Sequence, residues 1–178
     1  MKTIICFGEV LWDVLPAGRK LGGAPLNVAL RAQSFGNKAA MISSIGKDRN
    51  GEELAEKIKS HGGSLEHIQV NEAYATSEVL VELDEKGSAS YEIKMPCAWD
   101  HISLLERDIT DVSASDAFIY GSLVARSNTS RETLFTLLDH AGYKVFDVNL
   151  RPPHYTPERI ISLMKPADFV KFNDEELY

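Results

Sequence analysis

Short apolar runs typical of buried strands alternate with helical patterns along most of the chain. A β-rich run covers 3–7, a helical pattern runs from Pro25 until Gly36, a strand follows at 39–45, and an amphipathic helix covers 51–61. The alternation continues with strands at 116–120, 144–148 and 168–172 and helices at 130–142 and 156–165. Parallel strands need crossover connections of this length. The sequence therefore predicts an α/β fold of three layers, α/β/α, around a mainly parallel sheet.

The apolar period changes to two between 77 and 95. Apolar and polar residues alternate there on both sides of a DEKG sequence at 84–87, with Val79 before it and Ile93 after it. This pattern predicts an antiparallel β-hairpin. A hairpin inserted near a loop at the end of a strand is well placed to act as a lid.

Charge and cysteine content narrow the classes of partner and compartment. The 26 Asp and Glu residues outnumber the 19 Lys and Arg residues, which gives a net charge of −7 without any basic run. Nucleic acids and anionic membranes prefer basic surfaces, so we expect neither as a partner. Cys6 and Cys97 offer neither a disulfide framework nor a metal cluster. Since the N-terminus also lacks a signal-like apolar segment, we expect a cytoplasmic protein that binds a small polar ligand.

A glycine-rich turn, GGAPLNVA at 22–29, precedes the first helix. It lacks the G-x-G-x-x-G dinucleotide pattern and the G-x-x-x-x-G-K-[ST] phosphate loop. Gly22 and Gly23 allow the backbone to approach a ligand closely, and Asn27 offers both a donor and an acceptor. Asp13 adds a carboxylate. These groups suit adjacent sugar hydroxyls, each of which donates and accepts, although a plain turn that starts a helix is the alternative.

The spacing of glycines around this turn resembles the N-terminal signature of the PfkB family of carbohydrate kinases, which includes ribokinase and fructokinase. Gly36 follows GGAPLNVA after six residues, and Gly46 follows after nine more. Three other segments resemble elements of the family: GEVLWD at 8–13, FDVNLRPP at 146–153 and KFNDEEL at 171–177. The chain is thereby identified as resembling the N-terminal part of such a kinase.

The resemblance implies a fold, a reaction and its cofactors. The fold would be one ribokinase-like α/β domain over residues 1–178, with lid segments at about 11–21 and 77–98 and with the C-terminal part of the fold absent. In these kinases a sugar hydroxyl attacks the γ-phosphate of ATP in the presence of Mg²⁺. A small-molecule sugar would therefore be the partner, with ATP and Mg²⁺ as cofactors.

The same resemblance assigns candidate roles to individual residues. Asp13 matches the aspartate that binds sugar hydroxyls, and Gly22, Gly23 and Asn27 belong to the sugar-binding turn. Arg151 is our candidate for the cation that stabilises the moving phosphoryl group, with a surface ion pair as the alternative.

Two residues near the end of the chain resemble the N-x-x-E motif of the family. Asn173 and Glu176 would then lie in the magnesium and phosphate region, with Glu176 acting on Mg²⁺ through water. A helix-capping pair is the alternative for these residues, and both roles can coexist.

Trp99, which follows the hairpin in MPCAWDHI, is a candidate platform for the apolar side of a sugar ring. A core position is the alternative, since tryptophan is more often found there. Asp147 and Asn149 are expected to shape the end of a strand rather than to touch the substrate.

The sequence also departs from the family pattern. A G-A-G-D segment supplies the anion hole and the catalytic aspartate in the family, and no aspartate among the 178 residues is flanked in this way. We therefore expect negligible kinase activity from these 178 residues alone. A non-catalytic sugar-binding protein, or a fold completed by a second polypeptide, are the alternatives.

The identity of the sugar and the oligomeric state rest on weaker patterns. GEVLWD, the AWD after the hairpin and VNLRPP favour a fructokinase, while ribose and 2-keto-3-deoxygluconate remain alternative substrates. The resemblance also favours a homodimer formed through the β lid.

Overall fold

The computed structural model describes residues 1–83 and 89–177, in which strands and helices alternate as the sequence predicts. The strands are β1 (Thr3–Phe7), β2 (Leu11–Leu15), β3 (Gly18–Gly22), β4 (Lys38–Gly46), β5 (Ile68–Asn71), β6 (Ser77–Leu83), β7 (Ala89–Ile93), β8 (Ala117–Gly121), β9 (Lys144–Asp147) and β10 (Phe169–Lys171). The α-helices are α1 (Ala24–Ser34), α2 (Arg49–Ser60), α3 (Glu106–Ala114), α4 (Asn128–His140) and α5 (Pro157–Met164). The predicted DEKG turn of the hairpin lies outside the described residues.

Six of these strands form the main sheet, in the order β10-β9-β8-β1-β4-β5. Every neighbouring pair is parallel, with Ile4 of β1 opposite Ala39 of β4 on one side and Ala117 of β8 on the other. The predicted α/β fold with a mainly parallel sheet is therefore confirmed. All loops that follow these strands emerge at one edge of the sheet.

Two apolar cores cover the two faces of the main sheet, because successive residues of a strand point to opposite faces. In β1, Phe7 belongs to one core and Cys6 to the other. The first core packs the sheet against α3, α4 and α5, and the second packs it against α1 and α2. This arrangement gives the three predicted layers.

The helix boundaries follow from local capping. Asp48 precedes α2 and accepts the backbone N–H of Gly51 at 2.7 Å. The Thr156 hydroxyl accepts the N–H of Arg159 at the start of α5. Gly36 has a φ of 81°, a conformation that glycine adopts without strain and that ends the α1 segment.

A second, smaller sheet has the order β3-β2-β6-β7. Both segments predicted as lid contribute to it, since β2 and β3 come from one and β6 and β7 from the other. Asp13 lies opposite Val79, which lies opposite Ile93, so these three residues share one face of the small sheet.

Four elements were missing from the sequence interpretation: strands β2 and β3, which lie in a segment predicted only as lid, and α3 and β5. Helix α3 has the polar sequence ERDITDVSA, in which Val112 is the buried apolar residue, so its apolar periodicity is weak. Strand β5 has four residues, too few for a clear period. None of the helices in the described part of the chain is long and apolar enough to cross a membrane.

Candidate active site

A cavity of about 160 Å³ lies where the small sheet faces the carboxyl-end edge of the main sheet. Residues that follow β1, β8 and β9 meet there with the first turn of α1 and with one face of the small sheet. The lining residues are Glu9, Leu11, Asp13, Gly23, Ala24, Asn27, Val79, Ile93, Leu123, Asn149 and Arg151. Ligands of parallel α/β folds commonly bind at this edge.

Asp13 enters the cavity from β2, and its half-buried position raises the pKa of its carboxyl group. The positive charge of Arg151 opposes this shift. Gly22 lies on the neighbouring strand β3, where an added Cβ would collide with the Asp13 oxygen Oδ2. Glycine at 22 therefore keeps room for the Asp13 carboxylate rather than lining the cavity itself.

Gly23 and Asn27 form the part of the cavity wall that belongs to α1. Gly23 has a φ of 107°, and an added Cβ would collide with the backbone oxygen of Glu9. Its own oxygen accepts the backbone N–H of Asn27 at 2.9 Å, which starts the helix. The predicted turn thus has both proposed properties, since it starts α1 and lets the backbone approach the cavity.

Glu9 is one of the residues that line the cavity and is 3% exposed. Its Oε1 accepts the backbone N–H of Ala24 at 3.1 Å. Burial raises the pKa of the Glu9 carboxyl group to about 7, against the smaller opposing effects of the Glu9 and Ala24 amides and of Arg151. A carboxyl group in this state can exchange a proton near neutral pH.

The loop after β9 contributes Asn149 and Arg151. Asn149 has a φ of 38°, the left-handed region that asparagine tolerates better than most residues. The Arg151 guanidinium donates to the backbone oxygen of Leu150 at 2.8 Å, and its charge acts on Glu9 and Asp13. Asp147 is not a lining residue of this cavity, and its carboxylate lies 3.0 Å from the Lys171 ammonium.

Trp99 does not reach the cavity. It is fully buried in the first core, and the Arg126 guanidinium lies 4.0 Å above its ring. Asp100 holds that guanidinium through two hydrogen bonds of 2.8 Å. The prediction of Trp99 as a sugar platform is therefore wrong, and the core alternative describes its position.

Asn173 and Glu176 form a reciprocal capping pair beside the loop after β9. The Asn173 side-chain oxygen accepts the Glu176 N–H at 2.9 Å, and Glu176 Oε2 accepts the Asn173 N–H at 2.9 Å. Glu176 Oε1 accepts the Leu150 N–H at 2.8 Å. Neither residue lines the cavity, so their magnesium and phosphate role stays a prediction.

The comparison with known proteins agrees with this geometry. The chain matches the model of the pfkB family carbohydrate kinases over residues 3–178. It belongs to the PfkB family. The predicted resemblance is confirmed over nearly the whole chain.

Several sugar kinases are similar to this chain in sequence and in structure. The fructokinase of Salmonella typhimurium is 28% identical over 96% of this chain and 60% of its own length. A crystal structure of an uncharacterized sugar kinase from Pyrococcus horikoshii superposes with a TM-score of 0.85 at 27% identity, covering 98% of this chain and 64% of that one. The ATP-bound fructokinase of Xylella fastidiosa superposes with a TM-score of 0.84 at 26% identity, covering 98% of this chain and 59% of that one.

The chain spans about 60% of the length of the curated relatives that it matches. The matched part includes both sheets and the cavity between them. The reaction of the complete kinases is therefore only proposed for this chain.

Sequence reasoning about this PfkB chain missed two polar residues of the cavity wall. One sequence feature could have indicated Glu9: it follows Gly8 at the end of the first strand, where ligand-binding loops often lie. Asn149 was assigned to the strand end alone, but it also lines the cavity. Its position in the wall depends on its left-handed backbone, which no local pattern indicates.

Proposed function

We propose that this chain forms the sugar-binding part of an ATP-dependent sugar kinase and that its substrate is fructose. One observation carries the proposal: Asp13, Asn27 and Arg151, which lie far apart in sequence, line a single cavity in a chain of the PfkB family. A carboxylate and an amide beside a close backbone suit adjacent hydroxyls, and the guanidinium suits a phosphate.

Phosphoryl transfer requires positioning and charge neutralisation more than covalent chemistry from the protein. Asp13, together with the Gly23 backbone and Asn27, would bind and orient the sugar at the cavity wall, and Gly22 would keep room for the Asp13 carboxylate. Arg151 would stabilise the negative charge of the phosphoryl group that ATP supplies.

Mg²⁺ would supply further charge neutralisation, and Glu176 is the residue that would hold it. Both Glu176 oxygens accept backbone N–H groups. Each oxygen keeps a lone pair that can accept a hydrogen bond from a water ligand of the ion. This bonding fits the family-based proposal that Glu176 acts through water, with Asn173 beside it.

Fructose is favoured over other sugars by the relatives. The Salmonella typhimurium and Escherichia coli proteins are both called fructokinase and match 96% and 95% of this chain. Ribose and 2-keto-3-deoxygluconate are the competing substrates.

Calorimetric titration of the chain with fructose, ribose and 2-keto-3-deoxygluconate tests the substrate proposal. We expect saturable binding of fructose and weaker binding of the other two. Asp13→Asn should weaken fructose binding by about tenfold or more, because it removes a charged hydrogen-bond acceptor. Asp116→Asn, at the opposite edge of the main sheet, serves as the control.

Three results would contradict all or part of this proposal. Failure to bind any of the three sugars would argue against a sugar site. Tighter binding of ribose or 2-keto-3-deoxygluconate would keep the sugar kinase and exclude fructose as its substrate. Fructose binding by a complete protein that never forms ADP would favour the alternative, a non-catalytic sugar-binding protein.

A further inference from the structure

The buried carboxyl group of Glu9 is only half satisfied by the protein. Oε1 accepts the Ala24 N–H in the first turn of α1. Oε2 is buried and has no hydrogen-bond partner among the described residues. Buried polar atoms nearly always have a partner, because an unsatisfied one carries its full desolvation cost. The free oxygen therefore calls for an explanation.

The cavity offers an explanation for the unpartnered oxygen, since Glu9 is part of the cavity wall. Asp13 lines the same cavity from the small sheet, and Asn27 lines it from α1. A sugar presents several hydroxyls, each of which has a proton to donate. Glu9 Oε2 belongs to a residue of this wall and is an acceptor without a partner in the described part of the chain, and a small movement of the Glu9 side chain would bring it to such a hydroxyl.

We propose that Glu9 is a second substrate-binding carboxyl group of this site, that its Oε2 accepts a hydrogen bond from a hydroxyl of the bound sugar, and that Glu9 releases a proton to solvent when the cavity fills. The inference rests on the proposed function, because it takes the ligand to be a sugar. It gives the site two carboxyl groups, Asp13 from the small sheet and Glu9 from the loop after β1, where the sequence motif indicated one.

The surroundings of Glu9 explain the proton release. Burial raises its pKa to about 7, so part of the population carries the proton at neutral pH when the cavity is empty. A hydroxyl that donates to Oε2 favours the ionised form and lowers the pKa, so the proton passes to the buffer.

The charged groups around Glu9 set the background of this titration. Arg151, in the loop after β9, lowers the pKa of Glu9, while Asp147 at the end of β9 raises it. Asp13 on β2 is the other carboxyl group of the wall. Burial raises the pKa of Asp13 above 3.8, the ordinary value of an aspartate. The first turn of α1 contains no acidic residue.

A purely structural role for Glu9 is the competing explanation. In that case the carboxyl group would only cap α1 through Ala24. Glu9→Gln separates the two roles, because the amide oxygen can still accept the Ala24 N–H while an NH₂ group replaces the free oxygen. The variant has nearly the same volume and no charge to bury, so we expect it to fold.

The test is calorimetric titration of the chain with fructose at pH 7 in two buffers of different ionisation enthalpy. The wild-type protein should release a fraction of a proton per sugar bound, which a structural role would not produce. Glu9→Gln should abolish this release and raise the Kd by about tenfold. Circular dichroism checks that the variant is folded.

Asp116→Asn is the matched control. The Asp116 carboxylate accepts the Thr3 N–H at 2.8 Å at the opposite end of β1, so it has a similar bond far from the cavity. This variant should bind fructose with unchanged affinity and unchanged proton release.

The possible failures are distinguishable. If the wild-type protein binds fructose without proton release, or if folded Glu9→Gln behaves as wild type, the inference about Glu9 is overturned and the proposed function stands. If the wild-type protein binds no sugar at all, the proposed function fails, and the inference fails with it.

Discussion

Individual carboxyl groups at the two ends of β1 have opposite electrostatic properties. At the carboxyl end, burial raises the pKa of Glu9 and of nearby Asp13. At the other end, exposed Asp116 has a lowered pKa, chiefly through its hydrogen bond with the Lys2 ammonium. Burial therefore disfavours the ionised forms of Glu9 and Asp13 at the cavity, and a hydrogen-bond donor placed there would stabilise them. The ionised form of Asp116 is already stabilised by its hydrogen bonds.

Gly22→Ala is predicted to weaken sugar binding without unfolding the protein. The added Cβ would collide with Asp13 Oδ2 and with Leu11 Cδ1, both at the ends of side chains that can move, and would displace the carboxylate from the cavity. We expect the Kd for fructose to rise by about tenfold, measured by calorimetric titration. Gly142→Ala is the control, because an added Cβ there meets no atom within 4 Å. Equal affinities of the two variants would show that the space at Gly22 is not needed.

His67 is predicted to make stability depend on pH. Its Nδ1 lies 2.7 Å from Asp108 and its Nε2 lies 3.1 Å from Asp111. The hydrogen bond with Asp108 raises the pKa of His67 in the folded state. The stabilisation is therefore complete below the unfolded pKa of about 6.5 and is lost as pH rises through the higher folded value.

Urea denaturation at pH 6 and at pH 9 measures this effect. The unfolding free energy of the wild-type protein should fall with rising pH by more than that of His67→Gln, which keeps a hydrogen-bond donor without the titration. Parallel pH profiles for the two proteins would exclude His67 as the source.

At the scale of elements, carboxylates join segments by accepting backbone N–H groups from two places at once. Asp48 accepts the Gly51 N–H at the start of α2 and also the Thr76 N–H, at 2.8 Å, just before β6. Glu176 joins the turn at 173–177 to the loop after β9 through Leu150. The positions of the small sheet and of the Arg151 loop therefore depend on side chains of other elements.

Glu176→Gln is predicted to destabilise the protein by about 1 kcal/mol. The amide retains one acceptor oxygen, so one of the two N–H groups, of Leu150 or Asn173, loses its partner. Glu175→Gln changes an exposed neighbour in the same turn and should shift the unfolding free energy by less than about 0.5 kcal/mol. Denaturant titration of both variants checks the difference, and equal stabilities would argue against the capping pair.

At the scale of the whole molecule, the cavity exists only where two sheets face each other. The small sheet contributes Asp13, Val79 and Ile93, and the main-sheet edge contributes Glu9 and Arg151. Movement of the small sheet would therefore open or close the site, which is the physical basis for the proposed lid. Dimerisation through this sheet stays a prediction.

A polypeptide of residues 1–178 is predicted to bind fructose without phosphorylating it. The cavity lies within this part, whereas no aspartate of the 178 residues has the G-A-G sequence before it that precedes the catalytic base in the family. A coupled ADP assay with fructose, ATP and Mg²⁺ should give no turnover above background. Rates of about 1 to 100 per second, usual for kinases, would contradict this.

The amino-acid sequence by itself determined the order of most strands and helices and the family. Apolar periods of 3.6 and 2 are local properties, so they located β1, α1, β4, α2 and the hairpin. Likewise, GGAPLNVA and GEVLWD are local motifs, and they indicated Asp13 and Asn27, which the structure brings to one cavity. Local patterns did not identify β2, β3, α3 and β5 as separate elements.

Tertiary structure alone decided which side chains line the cavity and which are buried in the core. Trp99 follows the hairpin in sequence, but its contact with Arg126 places it in the core. Glu9 acquires its raised pKa and its free oxygen from burial beside Ala24, 15 residues away in sequence. Burial and electrostatic environment depend on residues distant along the chain, so no local pattern encodes them.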